Sequence, residues 1–401
     1  MVNRKRCQFL WKGTSHLMTF EFATAARIVF GSGAAESIGQ EAAAMGRRAF
    51  VLTGARPQRA LPLLRRLENQ HVMHWAFQVA REPTTDLVVK AAREAGRSAC
   101  DLVIGIGGGS VLDAAKAVAA LLANGGDLLQ YLEVVGEGRP LQRPSVPCIA
   151  VPTTAGTGAE VTRNAVLEEP SHKVKVSMRS PFMLPRLALV DPELTCSMPP
   201  ELTASTGLDA VTQLLEAFVS RSSNPLTDAI CREGLQRAAR SLERACANGN
   251  DRQAREDMAL ASLCGGLALA NARLGAVHGI AGPFGGAFHA PHGAVCGRLL
   301  PYVAAANIAA LRERSPSSSA LGRFQEAARI FTGHPEAGAE DGAAWLRELC
   351  GRLGVPSLSA YGFSEEHGPD LIAKSMRASS MRGNPIDLTE AELHAILNQA
   401  M

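Results

Sequence analysis

The stretch Asp101-Leu102-Val103-Ile104-Gly105-Ile106-Gly107-Gly108-Gly109-Ser110-Val111-Leu112-Asp113-Ala114-Ala115-Lys116 decides the fold. It reads as a strand, a run of glycines and the start of a helix. Asp101 to Ile106 is apolar without strict alternation, which predicts a strand covered on both faces. The glycines let the backbone approach an anion. The helix predicted from Val111 to Asn124 offers unpaired N–H groups and the positive end of its dipole. Ser110 can cap that helix or donate to the anion. The pattern is neither Gly-x-Gly-x-x-Gly nor a Walker A loop, because no Gly-Lys-Ser/Thr follows. A tight strand-to-helix turn without a ligand is the other reading.

Working outward, three more apolar runs predict strands: Arg48–Thr53, closed by Gly54; Pro147–Val151; and Leu187–Val190. Helical patterns lie between them, and this β–α–β rhythm predicts a parallel sheet with helices on its faces. The third run leads into Pro152-Thr153-Thr154-Ala155-Gly156-Thr157-Gly158-Ala159-Glu160-Val161-Thr162. Thr hydroxyls and small residues at the carboxyl end of a strand suit a ligand crevice, although a Thr-rich helix cap has the same look. After Pro199-Pro200 the texture changes to Ala/Leu-rich helical stretches, including Asp209–Val219, Pro225–Ala247 and Asp257–Ala272. Loops are predicted at Arg314–Ser319 and Thr332–Gly342. The chain therefore divides into a flexible extension over 1–17, an α/β domain over 18–195 and an all-α domain over 196–401.

Composition excludes several classes. Over 401 residues, 46% hydrophobic and 20% charged content is enough apolar mass for a core and argues against disorder. No uninterrupted apolar run approaches the ~20 residues of a membrane span. Lys+Arg total 41 against 38 Asp+Glu, and +3 over this length is no footprint for nucleic acid. The nine cysteines, Cys7, Cys100, Cys148, Cys196, Cys231, Cys246, Cys264, Cys296 and Cys350, never form Cys-x-x-Cys. That scatter argues against a disulfide framework or a zinc–thiolate site and for a reducing cytoplasm. Met1 to Leu17 lacks the apolar core of a secretory signal, and Met18 could be the true start; a mitochondrial presequence is a minor alternative.

The helical half carries a metal-like constellation. Asp209 and Gln213 are four apart and share a helix face. His278, His289 and His292 fall in one Gly-rich segment, although the chain holds only 10 histidines. His and Asp are natural ligands of a divalent first-row metal; ordinary buried or solvated histidines are the alternative. His16, His71, His74, His172, His334, His367 and His394 have no such setting and read as surface residues.

Gly107-Gly108-Gly109-Ser110-x-x-Asp113-x-Ala115-Lys116, Pro152-Thr153-Thr154-Ala155-Gly156-Thr157, Asp191-Pro192-Glu193-Leu194-Thr195, Gly207-x-Asp209-Ala210 and His278…Pro291-His292-Gly293 stand together in one order. In order and spacing they resemble the iron-containing (group III) alcohol dehydrogenases, over essentially the whole chain from about Phe20. The resemblance implies a dehydroquinate synthase-like fold: a Rossmann-like parallel-sheet domain, then a helical domain, with nucleotide and substrate meeting between them. It implies an NAD(P)-dependent alcohol dehydrogenase or aldehyde or ketone reductase, with reversible hydride transfer and Fe²⁺ or Zn²⁺ polarising the substrate oxygen. Asp209, Gln213, His278 and His292 take the four metal positions. The family pattern has His at 213, so Gln213 weakens the metal. It often has a second His at 282, here Gly282; His289 is the nearby candidate for proton relay.

For the nucleotide, the resemblance assigns Gly54, Arg56, Gly107, Gly108, Gly109, Ser110, Asp113, Thr153, Thr154, Thr157, Thr162, Lys175 and Leu194. NAD-selective members carry Asp where this chain has Gly54. The missing carboxylate and the nearby Arg56 favour NADP, with NAD or both the alternative. Glu82 stands where the family usually has Asn, and Lys173 is the alternative registration for Lys175. Ser379–Asn384 could reach the cleft, and Arg382 there could meet an acidic substrate, with a solvated loop as the other reading. A homodimer or higher homo-oligomer is expected. Rival readings are a metal-independent reductase of the maleylacetate reductase kind, a lyase of the dehydroquinate synthase kind, and a nucleotide-binding homologue without turnover.

Overall fold

The computed structural model describes residues 19–172 and 174–401. The expected extension, Cys7, His16, Met18 and Lys173 lie outside the described residues. Eight strands are described: β1 (Ile28–Phe30), β2 (Arg48–Thr53), β3 (Met73–Gln78), β4 (Leu102–Gly107), β5 (Cys148–Pro152), β6 (Asn164–Glu169), β7 (Val174–Arg179) and β8 (Leu187–Val190). Six form one sheet in the order β1-β8-β5-β4-β2-β3, all parallel. Helices α1 (Ile38–Met45), α2 (Leu61–Asn69), α3 (Thr85–Arg97) and α4 (Gly109–Asn124) supply crossovers on its two faces. Both faces of β4 and β5 are buried, which is why those strands read as continuous apolar runs.

The strands that the apolar runs do not reveal have physical reasons to hide. Three residues at a sheet edge make up β1. At the other edge, β3 mixes exposed and half-buried positions and has no fully buried residue. The antiparallel hairpin β6–β7 lies outside the main sheet, and its buried Ala165, Leu167, Val176 and Met178 pack with the α4 residues Ala114 and Val118.

From Pro200 the chain is helical: α5 (Pro200–Val219), α6 (Pro225–Ala247), α7 (Arg252–Ala272), α8 (Ala276–Phe288), α9 (His292–Arg314), α10 (Ser319–Thr332), α11 (Ala339–Arg352), α12 (Gly368–Arg377) and α13 (Glu390–Ala400). Helix α5 starts nine residues before the predicted Asp209, at a proline that suits the first helical position. Asn224 and Asp251 cap α6 and α7 through their side chains. Helix α9 is long and apolar enough to cross a bilayer, but 72% of its apolar window is buried inside the protein, as befits a core helix. Between α7 and α8 the chain turns by 101°, which aims the start of α8 back at α5.

Candidate active site and metal centre

The register aligns Thr53 with Ile106 and Gly107 with Pro152, so β2, β4 and β5 end together. Ligands of open α/β sheets bind at such carboxyl edges. Gly108 is the N-cap of α4 and no side chain caps the helix, which corrects the capping role expected of Ser110; that residue is the second of the helix. The first turn of a helix leaves N–H groups without intrahelical acceptors, and here Gly109 and Ser110 occupy it. A Cβ on Gly109 would lie 2.8 Å from Thr157, and one on Gly108 3.2 Å from Thr154. The two loops thus touch through their glycines, and Thr153 N–H donates to the Gly107 carbonyl at 2.9 Å. Gly54 sits beside the same helix start, its would-be Cβ 3.8 Å from Val111, and Arg56 next to it is exposed.

Three assigned nucleotide residues brace this cradle from behind. Lys116, fully buried, donates to the Ala159 carbonyl (2.9 Å) and to Thr162 Oγ1 (2.8 Å), and pairs with Asp113 at 2.9 Å. The other Asp113 oxygen accepts Val166 N–H of the hairpin at 2.9 Å. Leu194 packs into the apolar layer under the sheet. The half-buried Lys175 pairs with Glu82 at 3.5 Å, and its Nζ lies 3.6 Å from a Cβ built on Gly285 of α8. Gly285 is seven residues from His278 and shares its helix face.

The helical half contributes side chains rather than backbone. Asp209, His278, His292 and Cys296 bring one ligating atom each within 4.8 Å of one another. His278 Nε2 lies 3.3 Å from Asp209 Oδ1, and His292 Nε2 lies 3.8 Å from the same oxygen. Cys296 Sγ lies 3.6 Å from His292 Nε2, one helical turn along α9. Close helix packing makes this possible: a Cβ on Gly293 would fall 2.1 Å from the Ser205 carbonyl oxygen. On Gly297 it would fall 2.6 Å from Leu208.

Glu216 completes the arrangement. It lies seven residues after Asp209 on the same face of α5, and its Oε2 takes His278 Nδ1 at 2.7 Å. Its Oε1 accepts Val277 N–H at 2.6 Å, while Asn384 Oδ1 accepts Ala276 N–H at 3.1 Å, so both tie down the uncapped start of α8. A carboxylate on Nδ1 fixes the orientation of the ring, so that Nε2 faces Asp209. Sequence reading missed Glu216 and Cys296. Spacings of seven from Asp209 and four from His292 are the signals that mark them.

Burial works against the charged forms, yet the neighbours outweigh it. Asp209 is held below the usual carboxylate range by His278, His292 and Gln213. Cys296, Asp209 and Glu216 lift His278 well above ordinary imidazole; Cys296 and Asp209 raise His292. The two imidazoles in turn pull the Cys296 thiol down. The same neighbours that favour a proton on each imidazole would favour a cation in its place. The Gln213 amide donates from Nε2 to Asp209 Oδ2 at 3.2 Å, and its buried Oε1 has no partner. Half a turn of that amide would give a cation an oxygen. The donor set fits a divalent metal.

Other expected residues stand apart. His289 closes α8 in the left-handed region, φ 49°, with an exposed side chain, and is not one of the four converging groups. Arg382 is exposed, whereas Met381 packs on Gly279 beside His278. His74, His367 and His394 are half-buried rather than surface residues, and His367 stands edge-on to Phe288 with ring centroids 5.1 Å apart. Every cysteine among the described residues is a free thiol.

Residues 25–192 match the family described as iron-containing alcohol dehydrogenase, and residues 203–401 match its C-terminal part. The chain is 36% identical over 340 residues to long-chain-alcohol dehydrogenase 1 of Geobacillus thermodenitrificans, covering 83% of each chain. It is 37% identical over 306 residues to 1,3-propanediol dehydrogenase of Klebsiella pneumoniae, covering 76% of this chain and 77% of that one. A solved 1,3-propanediol oxidoreductase superposes with a TM-score of 0.88 at 32% identity, over 96% of this chain and all 100% of the other. Sulfoacetaldehyde reductase from Bifidobacterium kashiwanohense, solved with NAD+, superposes with a TM-score of 0.85 at 29% identity, over 96% and 99%.

Proposed function

The chain belongs to the iron-containing alcohol dehydrogenase family, and on that premise we propose that it transfers hydride between NADP(H) and a small alcohol or aldehyde, with a divalent metal at Asp209, His278 and His292. The observation that carries this reading is the convergence of those three side chains within 4.8 Å, tied to the glycine-rich cradle. The tie is short: Gly156 packs on Thr206 of α5, three residues before Asp209, and Gly158 packs on Gly266 of α7.

When bound, the nicotinamide supplies the hydride acceptor or donor and the metal supplies a Lewis acid for the substrate oxygen. The protein's part is to hold and orient. N–H groups of Gly109 and Ser110 at the positive end of α4 would hold the pyrophosphate, and Thr153, Thr154 and Thr157 in the facing loop would supply hydroxyl donors. Lys175 reaches toward α8, on the face that carries His278. Glu216 keeps His278 in the orientation that presents Nε2. The would-be Cβ of Gly282 meets nothing within 4 Å, which leaves room for substrate beside that face. Gly54 and Arg56 support NADP over NAD, since no carboxylate opposes a 2′-phosphate and a guanidinium is at hand. Scattered free thiols support a cytoplasmic setting, and a homodimer is the proposed assembly.

Gln213 in place of His favours one rival, a reductase that works without metal. Elemental analysis of the purified enzyme, paired with NADPH oxidation against an aldehyde and ketone panel before and after chelation, decides between them. About one Fe or Zn per chain, and turnover lost on chelation and restored by metal, is expected. Full turnover in metal-free enzyme sinks the metal-dependent reading. A Gly54→Asp variant should lower the NADP-over-NAD ratio of kcat/KM by about tenfold; an unchanged ratio removes Gly54 from cofactor choice.

A further inference from the structure

The metal position that the family fills with His is Gln213 here, and a stronger donor stands across the site. We propose that Cys296 is a metal ligand, so that this chain holds its ion by Asp209, His278, His292 and Cys296, while Gln213 stays turned to support Asp209. The inference rests on the metal-dependent reading above and deepens it by naming the fourth donor.

Geometry carries it. Zinc–sulfur and zinc–nitrogen distances of about 2.3 and 2.0–2.1 Å at a tetrahedral angle put sulfur and nitrogen about 3.6 Å apart. Cys296 Sγ and His292 Nε2 are 3.6 Å apart. The same construction puts a nitrogen and a carboxylate oxygen about 3.4 Å apart, and His278 Nε2 lies 3.3 Å from Asp209 Oδ1. All four ligating atoms lie within 4.8 Å of one another, close enough to gather around one ion with small side-chain adjustments. Gln213 turns its donor end to the site: its Nε2 donates to Asp209, and its unpartnered Oε1 lies 3.0 Å from a Cβ built on Gly265. Cys296 is fully buried, and a neighbouring turn of α9 is locked to α5 by Gly293 and Gly297, so the sulfur is preset rather than recruited. A thiolate favours zinc over Fe²⁺ at a site of otherwise N and O donors.

Cobalt substitution tests this. The full-length chain, stripped and reloaded with Co²⁺, should show a thiolate-to-cobalt charge-transfer band in the near ultraviolet. Cys296→Ser should lose that band while still binding cobalt, and should bind Zn²⁺ about tenfold or more weaker. Gln213→Ala should keep the band. Cobalt bound by the wild type without the band overturns the assignment, even if Cys296→Ser fails to fold. So does a band that survives in Cys296→Ser. Failure of cobalt to bind at all overturns both this assignment and the metal-dependent reading, whereas a missing band in an enzyme that cobalt activates overturns this assignment alone.

Discussion

The two halves of the site recognise by different means. On the sheet side, a ligand would be met by backbone: the start of α4 and the glycines whose missing side chains let two loops touch. On the helical side the groups are side chains, drawn from α5, α8 and α9 across more than eighty residues of sequence. A backbone cradle demands small residues at fixed local spacings, so it tolerates little change and announces itself. A side-chain cluster needs only that three helices bring donors to one point. It can exchange a His at one position for a Cys at another and keep its geometry.

That contrast predicts separable failures. The largest expected effect is on the helical side: His278→Ala should cut turnover by about a thousandfold or more, since a lost metal forfeits several kcal/mol of barrier lowering. Nucleotide affinity, read by NADPH fluorescence, should stay within about threefold, because the cradle is backbone held elsewhere. If nucleotide binding collapses as well, the two regions are not independent. The mirror experiment is Gly109→Val. Its side chain enters the space of Thr157, 2.8 Å from the would-be Cβ, and should weaken NADPH binding by about a hundredfold with metal content unchanged.

A pH experiment sharpens the comparison from the cradle side. Glu160 is buried in the loop that joins the two regions, and burial pushes its carboxyl up to about 7. Its ordinary value is 4.5, so between these values the unfolded chain gives up the proton while the folded chain keeps it. Stability from this group is therefore highest below pH 4.5, falls as pH rises to about 7 and then levels off. Glu160→Gln should remove that slope and gain up to about 3 kcal/mol at neutral pH. Thermal unfolding between pH 4.5 and 8, both variants side by side, reads it; parallel curves would deny the buried charge. Smallest is Glu216→Gln, which keeps the volume but exchanges the carboxylate on His278 Nδ1 for an amide. Metal affinity should fall by about tenfold, measured by chelator competition, with the fold intact.

Residue by residue, the legible part is the local part. Gly107 to Ser110, the Thr153–Thr157 loop and the strands around them are contiguous, and their physics is a matter of neighbours in the chain. His278 and His292 are marked by the clustering of a rare residue, and the resemblance, not any local pattern, joins Asp209 to them as a metal set. Cys296 is not so marked, because the cysteines were read by their mutual spacing, and a lone thiolate among histidines has no Cys-x-x-Cys to betray it. Glu216 was one more carboxylate on a helix until α8 turned back and set His278 against it.

By itself, then, the order of amino acids determined the parallel sheet, the glycine cradle at its carboxyl edge and the helical second half, because strand burial and close backbone approach restrict residue types over short stretches. Only the tertiary structure decided which side chains share a centre. That depends on the 101° turn before α8 and on two glycines that let α9 lie against α5, and these fix angles between helices rather than any pattern along them.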